Sequence, residues 1–462
     1  MRILESLSWA EIGIALGARR KGAEPAPARG ASIDTRTLER GDIFFALKGE
    51  NSDGHAHLRS AFEKGAVCAV IQDAGRADDV PFALIVKDAE TALFELGRLI
   101  RAKTSVPLVA ITGSAGKTTA KDFTASILGA RGPVLATRGN LNNHLGVPLT
   151  LARLEGSHWA AVIECGMSRA GELSRLSRLL RPKVAVITNV AAAHLEFFES
   201  VAQIAEAKAE IFEALGPGDT AVAPAGEPLL SSRARATPGS ARLFGDGEHT
   251  SCRALDVSMS LEGSQFTLQC GDARVAVSLP VPGPHAISNL LAASAVATSL
   301  GLSLQTIATA AMELKSASNR GAVQKLKDDI LLIDDSYNSN PKALLSAIDT
   351  LALARDRRRV ACLGEMRELG PQGPQLHRDA GAAIGARVDL LFGVGVLARE
   401  ILKGASALPD EAKRAFETSA DLAAEINDLV RAHDAVLVKG SRGVRMERVV
   451  EALVAAHPGS TV

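Results

Sequence analysis

The chain has 462 residues, and 52 Lys plus Arg balance 52 Asp plus Glu, so no net charge draws it to nucleic acid or anionic lipid. Aromatic residues make up 3%, too few for the stacking platforms of single-strand binders. Five cysteines (Cys68, Cys165, Cys252, Cys270 and Cys362), odd in number and nowhere spaced CxxC, argue against a disulfide framework or zinc site and fit a reducing cytoplasm.

At roughly 100–200 residues per domain the length predicts three domains. The opening stretch MRILESLSWAEIGIALG holds Glu5 and Glu11 among apolar residues and reads as an amphipathic helix, not a signal peptide. Residues 19–29, rich in Ala, Pro and Gly, read as a loop. Short apolar runs and turns, as in GDIFFALKG and GAVCAVI, predict a small α/β domain over residues 1–103. From residue 104 to 313, candidate strands at 106–111, 159–163, 184–188 and 220–223 alternate with candidate helices at 118–128, 170–180 and 200–215. That alternation predicts a mostly parallel sheet with helices on both faces. Residues 251–279 switch to strand-like alternation and predict an antiparallel addition. Residues 281–312 carry no formal charge, but their polar residues and Gly301 predict two buried helices, not a membrane span. The last unit, 314–462, has candidate strands at 330–333, 359–363, 390–394 and 435–438, in a doubly wound, Rossmann-like layout.

The sharpest local pattern is Val109-Ala-Ile-Thr-Gly-Ser-Ala-Gly-Lys-Thr-Thr119. An apolar strand, a glycine loop and a helix in that order make a phosphate cradle, with backbone N–H groups and the helix N-terminus facing the anion. Gly113, Ser114, Ala115, Gly116 and Thr119 would line it. Lys117 would contact the β- and γ-phosphates of a nucleotide, and the Thr118 hydroxyl a Mg²⁺ ion. The loop is the shorter G-x-x-G-K-T form, with Ile111 where the longer form has glycine. Downstream come Glu164 in VIECGMS, His194 in ITNVAAAHLE and Lys208 in AEAKAEIF. Taken singly, they read as a solvated strand-end acid, a structural histidine and a solvated helix residue. The segment GNLNNHLGVP places Asn142 and Asn143 between them and the loop, where amides either meet phosphate or carboxylate oxygens or cap a helix.

Together these segments resemble the Mur ligases, and at least six motifs occur in family order over essentially the whole chain. The resemblance implies an α/β protein of three domains: a small UDP-binding unit, a central phosphate-loop ATPase unit with a parallel sheet, and a Rossmann-like unit. It implies ATP and two Mg²⁺ ions, with Thr118, Glu164, His194 and a carbamylated Lys208 as metal ligands. It also marks Lys117, Glu164, His194 and Lys208 as catalytic. Asn289 in PHAISNLLAA, Arg320 in SNRG, and Asp335 and Asn338 in DDSYNSNP resemble nucleotide contacts, with His285, Tyr337 and Asn340 in the same motifs. Ser32, Asp34, Thr35 and Arg36 resemble the uridine-nucleotide segment, which Asn142 and Asn143 join as substrate contacts. Ala191 and Glu199 stand where the family often has glycine. SYNSNP and the missing DNPR motif favour the branch that adds D-alanyl-D-alanine to a UDP-N-acetylmuramoyl-tripeptide through an acyl phosphate. A diamino-acid-adding Mur ligase and folylpolyglutamate synthase are the alternatives. The expected protein is a cytoplasmic monomer without membrane insertion.

Overall fold

In the computed structural model the described residues are 1–462 except 51, 193, 194, 248 and 460–462. Three sheets follow one another along the chain. The first comprises β1 (Arg19–Gly22), β2 (Gly30–Ser32), β3 (Asp42–Phe45), β4 (Cys68–Ile71) and β5 (Phe82–Ile85), in the order β1-β5-β4-β3-β2. Only β1 runs antiparallel to its neighbour.

The central sheet has nine strands. These are β6 (Leu108–Thr112), β7 (Val134–Ala136), β8 (Ala160–Glu164), β9 (Val184–Ile187), β10 (Thr220–Pro224), β11 (Ser240–Phe244), β12 (Cys252–Ser260), β13 (Gly263–Cys270) and β14 (Ala273–Leu279). Their order, β14-β13-β12-β11-β10-β9-β6-β8-β7, puts β6 between β8 and β9. Chain order reverses at β6, and the crevice beyond the carboxyl ends of such strands is where open α/β sheets bind ligands. β6, β8 and β9 are buried along their whole length, which explains why their sequences are apolar up to the last residue of β6 and of β8. The third sheet contains β15 (Ala322–Lys325), β16 (Leu331–Asp335), β17 (Arg358–Gly364), β18 (Leu390–Val394), β19 (Lys413–Phe416) and β20 (Asp434–Lys439). It is ordered β15-β16-β20-β17-β18-β19, antiparallel only at β15.

The expected α/β architecture is present, and most candidate strands lie within two residues of the observed ones. β12 to β14 form the expected antiparallel addition. Residues 281–312 form two helices, Pro284–Ser299 and Leu304–Ala311, with Gly301 at φ +86° between them. Among the described residues no helix is long and apolar enough to cross a membrane.

Three local expectations fail for identifiable reasons. The opening stretch is not one helix. It is a 3₁₀ turn, Leu4–Ser6, then a helix, Trp9–Ala15, restarted by a capping box between Ser8 and Glu11. Residues 19–22, read as loop, form an edge strand whose polar residues need only backbone pairing to β5. Cys252 and Cys270 form a disulfide. They are 18 residues apart, and only the β12–β13 register sets them directly opposite each other.

Thiol titration of aerobically purified, denatured but unreduced protein should therefore find three cysteines, Cys68, Cys165 and Cys362, and five after reduction. Five before reduction would remove the pairing.

Candidate active site

The phosphate loop follows β6 and is sewn to the end of β9 by both main chain and side chains. Ala115 N donates to Asn189 Oδ1 (2.9 Å), while Asn189 Nδ2 and Thr188 Oγ1 donate to Ala115 O (3.0 and 2.6 Å). Ser114 Oγ accepts from Ala191 N at 3.0 Å. Gly113 has φ +153° and Gly116 +77°. A Cβ at Gly113 would collide with Thr188 Oγ1, and one at Gly116 with the Asn289 amide, so only glycine fits either place. Lys117 opens the helix Lys117–Gly129 and donates to Gly113 O at 2.8 Å.

Glu164 ends β8, in register with Ile111 of β6. It is 2% exposed, so the solvated strand-end acid read from sequence is wrong. Its Oε2 accepts from Thr118 Oγ1 and its Oε1 from Asn142 Nδ2, both at 2.8 Å, while its own N–H donates to Thr137 Oγ1 at 2.9 Å. A hydroxyl and a buried carboxylate beside a phosphate cradle are the oxygen donors that a hard divalent cation takes. Asn142 thus faces the carboxylate. Asn143 instead binds backbone at the start of the helix Gly146–Leu151, its Oδ1 accepting from Gly146 N at 2.9 Å.

Lys208 lies in the helix Val201–Ala209 and is also 2% exposed, not solvated. Among the described residues no hydrogen bond or ion pair reaches its side chain. Burial, and then the charge of Lys117, push its pKa well below the ordinary lysine value. Burial likewise lowers the pKa of Lys117, against the pull of Glu164 and with a smaller push from Arg320. His194 lies outside the described residues, and among those described no three acid, His or Cys side chains form a metal-holding group.

One cavity of about 1420 Å³ joins Ser114, Ala115, Gly116, Lys117, Thr119, Asn142, Asn143, Glu164, Asn289, Arg320, Asp335 and Asn338. The third sheet closes it. Asp335 pairs with Lys439, its register partner on β20, at 2.6 Å, and Lys439 also donates to Asn338 O at 2.9 Å. The Arg320 guanidinium lies 4.0 Å over the Tyr337 ring. His285 sits within hydrogen-bond reach of Ser346 Oγ (3.3 Å), and burial lowers its pKa. Asn340 caps the helix Pro341–Leu351 and reaches Ser114 O at 3.5 Å.

Ser32, Asp34, Thr35 and Arg36 lie outside that lining. Ser32 ends β2, and the others turn after it so that Asp34 accepts from Arg36 Nη2 and N (2.6 and 2.8 Å), holding its carboxyl down to about 2. Sequence reasoning missed Thr188, Asn189 and Lys439. Thr188 and Asn189 stood in a motif quoted only for His194, and Lys439 sat unassigned in VLVKGSRG.

Family models match along most of the chain: the Mur ligase family catalytic domain over residues 28–96, the Mur ligase middle domain over 111–297, and the Mur ligase glutamate ligase domain over 319–442. The chain is 35% identical to the UDP-N-acetylmuramoyl-tripeptide–D-alanyl-D-alanine ligase of Haemophilus influenzae, covering 97% of this chain and 98% of that one. It is also similar to the solved UDP-N-acetylmuramoylalanyl-D-glutamyl-2,6-diaminopimelate–D-alanyl-D-alanyl ligase of Acinetobacter baumannii, with a TM-score of 0.83, 30% identity, and coverage of 98% of this chain and 99% of that one. The MurF ligase of Thermotoga maritima in complex with ADP gives a TM-score of 0.79 at 26% identity, covering 92% and 97%.

The Lys439–Asp335 pair makes a prediction of its own. Lys439 is 3% exposed and Asp335 20%. Breaking a buried pair from one side costs about 3–5 kcal/mol, and the remaining exposure of Asp335 puts Lys439→Met near the lower end. Asp335→Asn in the same background should recover part of the loss. A coupling below about 0.5 kcal/mol in a double-mutant cycle of unfolding free energies would refute the pairing.

Proposed function

The chain belongs to the Mur ligase family, and we propose that it joins D-alanyl-D-alanine to a UDP-N-acetylmuramoyl-tripeptide at the cost of ATP, by way of an acyl phosphate. The observation that carries the reading is the convergence of the phosphate loop, Glu164 and the third-sheet residues on one cavity. The relatives reported above support this reading and neither alternative. The tripeptide is taken as alanyl-D-glutamyl followed by a diamino acid.

A carboxylate is a poor acyl donor because it would have to expel oxide. Its oxygen attacks the γ-phosphorus, ADP departs, and phosphate becomes the leaving group. The dipeptide amine then attacks the acyl carbon, phosphate leaves, and the nitrogen gives up a proton to complete the amide. The first step brings two anions together, a repulsion of about 1 kcal/mol at 4 Å in water and several-fold more in a drier site. Lys117 and the loop N–H groups offset the charge on the transferring phosphoryl group. Thr118 and Glu164, with His194 and a carbamylated Lys208, would hold Mg²⁺, which when bound neutralises phosphate charge. Asn289, Arg320, Asp335 and Asn338 would hold the nucleotide, and Asp335, with Oδ2 fixed by Lys439, would face the ribose. Ser32, Asp34, Thr35 and Arg36 would take the uridine nucleotide at the first sheet. Asn142 would act chiefly by orienting Glu164.

Carbamylation of Lys208 is supported by its environment. Carbon dioxide reacts with a neutral amine, and burial beside Lys117 favours that form. The carbamate would replace that amine with an anion that feels the positive charge of Lys117. Domain boundaries at 103/104 and 313/314 suit this scheme, since they fall just before β6 and β15. The enzyme would act as a cytoplasmic monomer.

ADP release should require both D-alanyl-D-alanine and the UDP-linked tripeptide, and a free diamino acid should not replace the dipeptide. Release with the diamino acid alone would reassign the enzyme within the family. Lys117→Ala should lower turnover at least about a thousandfold; near-normal turnover would remove the phosphate-loop assignment.

Lys208 gives a pH-dependent test. The carbamate needs the neutral amine, so activity should fall as acid protonates Lys208, in CO₂-free buffer first, and return with bicarbonate at higher pH. Between the lowered folded pKa and the ordinary value near 10.4 the unfolded chain binds more protons, so this residue makes stability rise with pH. Lys208→Met should therefore stabilise CO₂-free protein at pH 7 while abolishing activity, and short carboxylic acids should partly rescue Lys208→Ala. Full activity of Lys208→Ala without added acid would end the carbamate reading.

A further inference from the structure

The cavity that Glu164 lines is also lined by His144, Met167, Glu172, Arg175 and Leu176. Arg175 lies in the helix Glu172–Leu180, and its guanidinium carbon rests 4.1 Å above the ring of Phe94, in the helix Ala89–Ala102. This stacking fixes the plane of the guanidinium but uses none of its five N–H donors. Among the described residues no side-chain hydrogen bond or ion pair reaches Arg175.

The neighbouring acids are already engaged. Glu172 Oε2 accepts from Ser168 N at 2.8 Å and Arg169 N at 3.4 Å. Asp88 caps its helix through Thr91 N at 2.7 Å; that hydrogen bonding, with a smaller contribution from Arg175, holds its carboxyl below the usual range. Glu90 faces His144 at 3.5 Å. On the same helix Arg178 behaves as an ordinary surface arginine, paired with Glu213 at 3.0 Å. Arg175 thus presents to this part of the cavity an oriented cation that is unpaired among the described residues.

A substrate whose nucleotide is held at the first sheet and whose reacting carboxylate lies at the phosphate loop spans the two units, and Arg175 stacks where a helix of each unit meets the other. We propose that Arg175 is the receptor for a second, non-reacting carboxylate on the peptide arm of the UDP-linked substrate. The proposal rests on the ligase reading above. A planar guanidinium pairs bidentately with a carboxylate, and such a peptide offers two sources. One is the spare carboxylate of a D-glutamyl residue, the other the side-chain carboxylate of a diaminopimelate.

The test compares the full-length wild type with Arg175→Gln and Arg175→Lys on three substrates: the parent UDP-tripeptide, an analogue with the D-glutamyl carboxylate converted to its amide, and one with lysine in place of diaminopimelate. Binding is read by calorimetry and turnover by ADP release. Arg175→Gln should weaken binding of the parent about tenfold or more, leave the KM values for ATP and D-alanyl-D-alanine within about twofold, and show no further loss on the analogue lacking the recognised carboxylate. That analogue identifies the source. Arg175→Lys should fall between wild type and Arg175→Gln. Unchanged binding in Arg175→Gln, or equal further losses on both analogues, would overturn the proposal. An equal loss for UDP alone would overturn it too, by assigning Arg175 to the diphosphate. Absence of ADP release by the wild type with every acceptor would instead refute the ligase reading.

Discussion

The rest of the site depends on one unfavourable placement: a buried lysine, Lys208, that feels the charge of Lys117 and, among the described residues, is reached by no ion pair. An unpaired buried ammonium costs several kcal/mol even after relaxation. The helix that carries Lys208 tolerates this because Ile204, Ala205 and Ala207 are buried with it. Such a site favours whatever brings negative charge to it. Triphosphate, a substrate carboxylate and a carbamate all do, and in the proposed chemistry all three are present when the phosphoryl group moves. The electrostatic strain of the free protein thus becomes binding energy for the reacting state.

The sheet order decides where that charge can gather. Because β6 is flanked by β8 and β9, the glycine loop, the Glu164 carboxylate and the Thr188–Asn189 clamp leave adjacent strand ends on the same side. Thr188 and Asn189 then hold the loop backbone by hydrogen bonds that do not depend on a ligand. A preformed cradle spends less of the binding energy on ordering the loop.

Sequence reading was strongest where one short segment contains its own explanation. The strand, loop and helix of residues 109–119 are contiguous, so periodicity and glycine spacing located the cradle. Parallel strands were legible because burial on both faces demands apolar runs. Relations across distant segments were not. Nothing in GNLNNHLGVP separates Asn142, which meets Glu164, from Asn143, which binds backbone at the start of a helix. Nothing in VLVKGSRG says that Lys439 lies opposite Asp335; that follows from the pairing of β16 with β20. The burial of Glu164 and Lys208 was misjudged for the same reason, since a charged residue at an element's end carries no local mark of what packs over it. The Cys252–Cys270 pairing is likewise a matter of hairpin register.

The third unit meets the central one through separable contacts. Asn340 reaches Ser114 O at the long distance of 3.5 Å, and Lys342 pairs with Glu227 at 2.7 Å with half of its own side chain exposed. Glu196 N meets Glu368 O at 3.3 Å. Exposed pairs of this kind contribute little each, about 0–1 kcal/mol, so they can set a docking geometry without locking it. The strong Lys439–Asp335 pair lies instead wholly within the third sheet. That division suits a cavity which must exclude water while an acyl phosphate exists and then release a long product. Rigid pairing inside each unit preserves the orientation of the nucleotide contacts, and marginal pairing between units lets the cleft open.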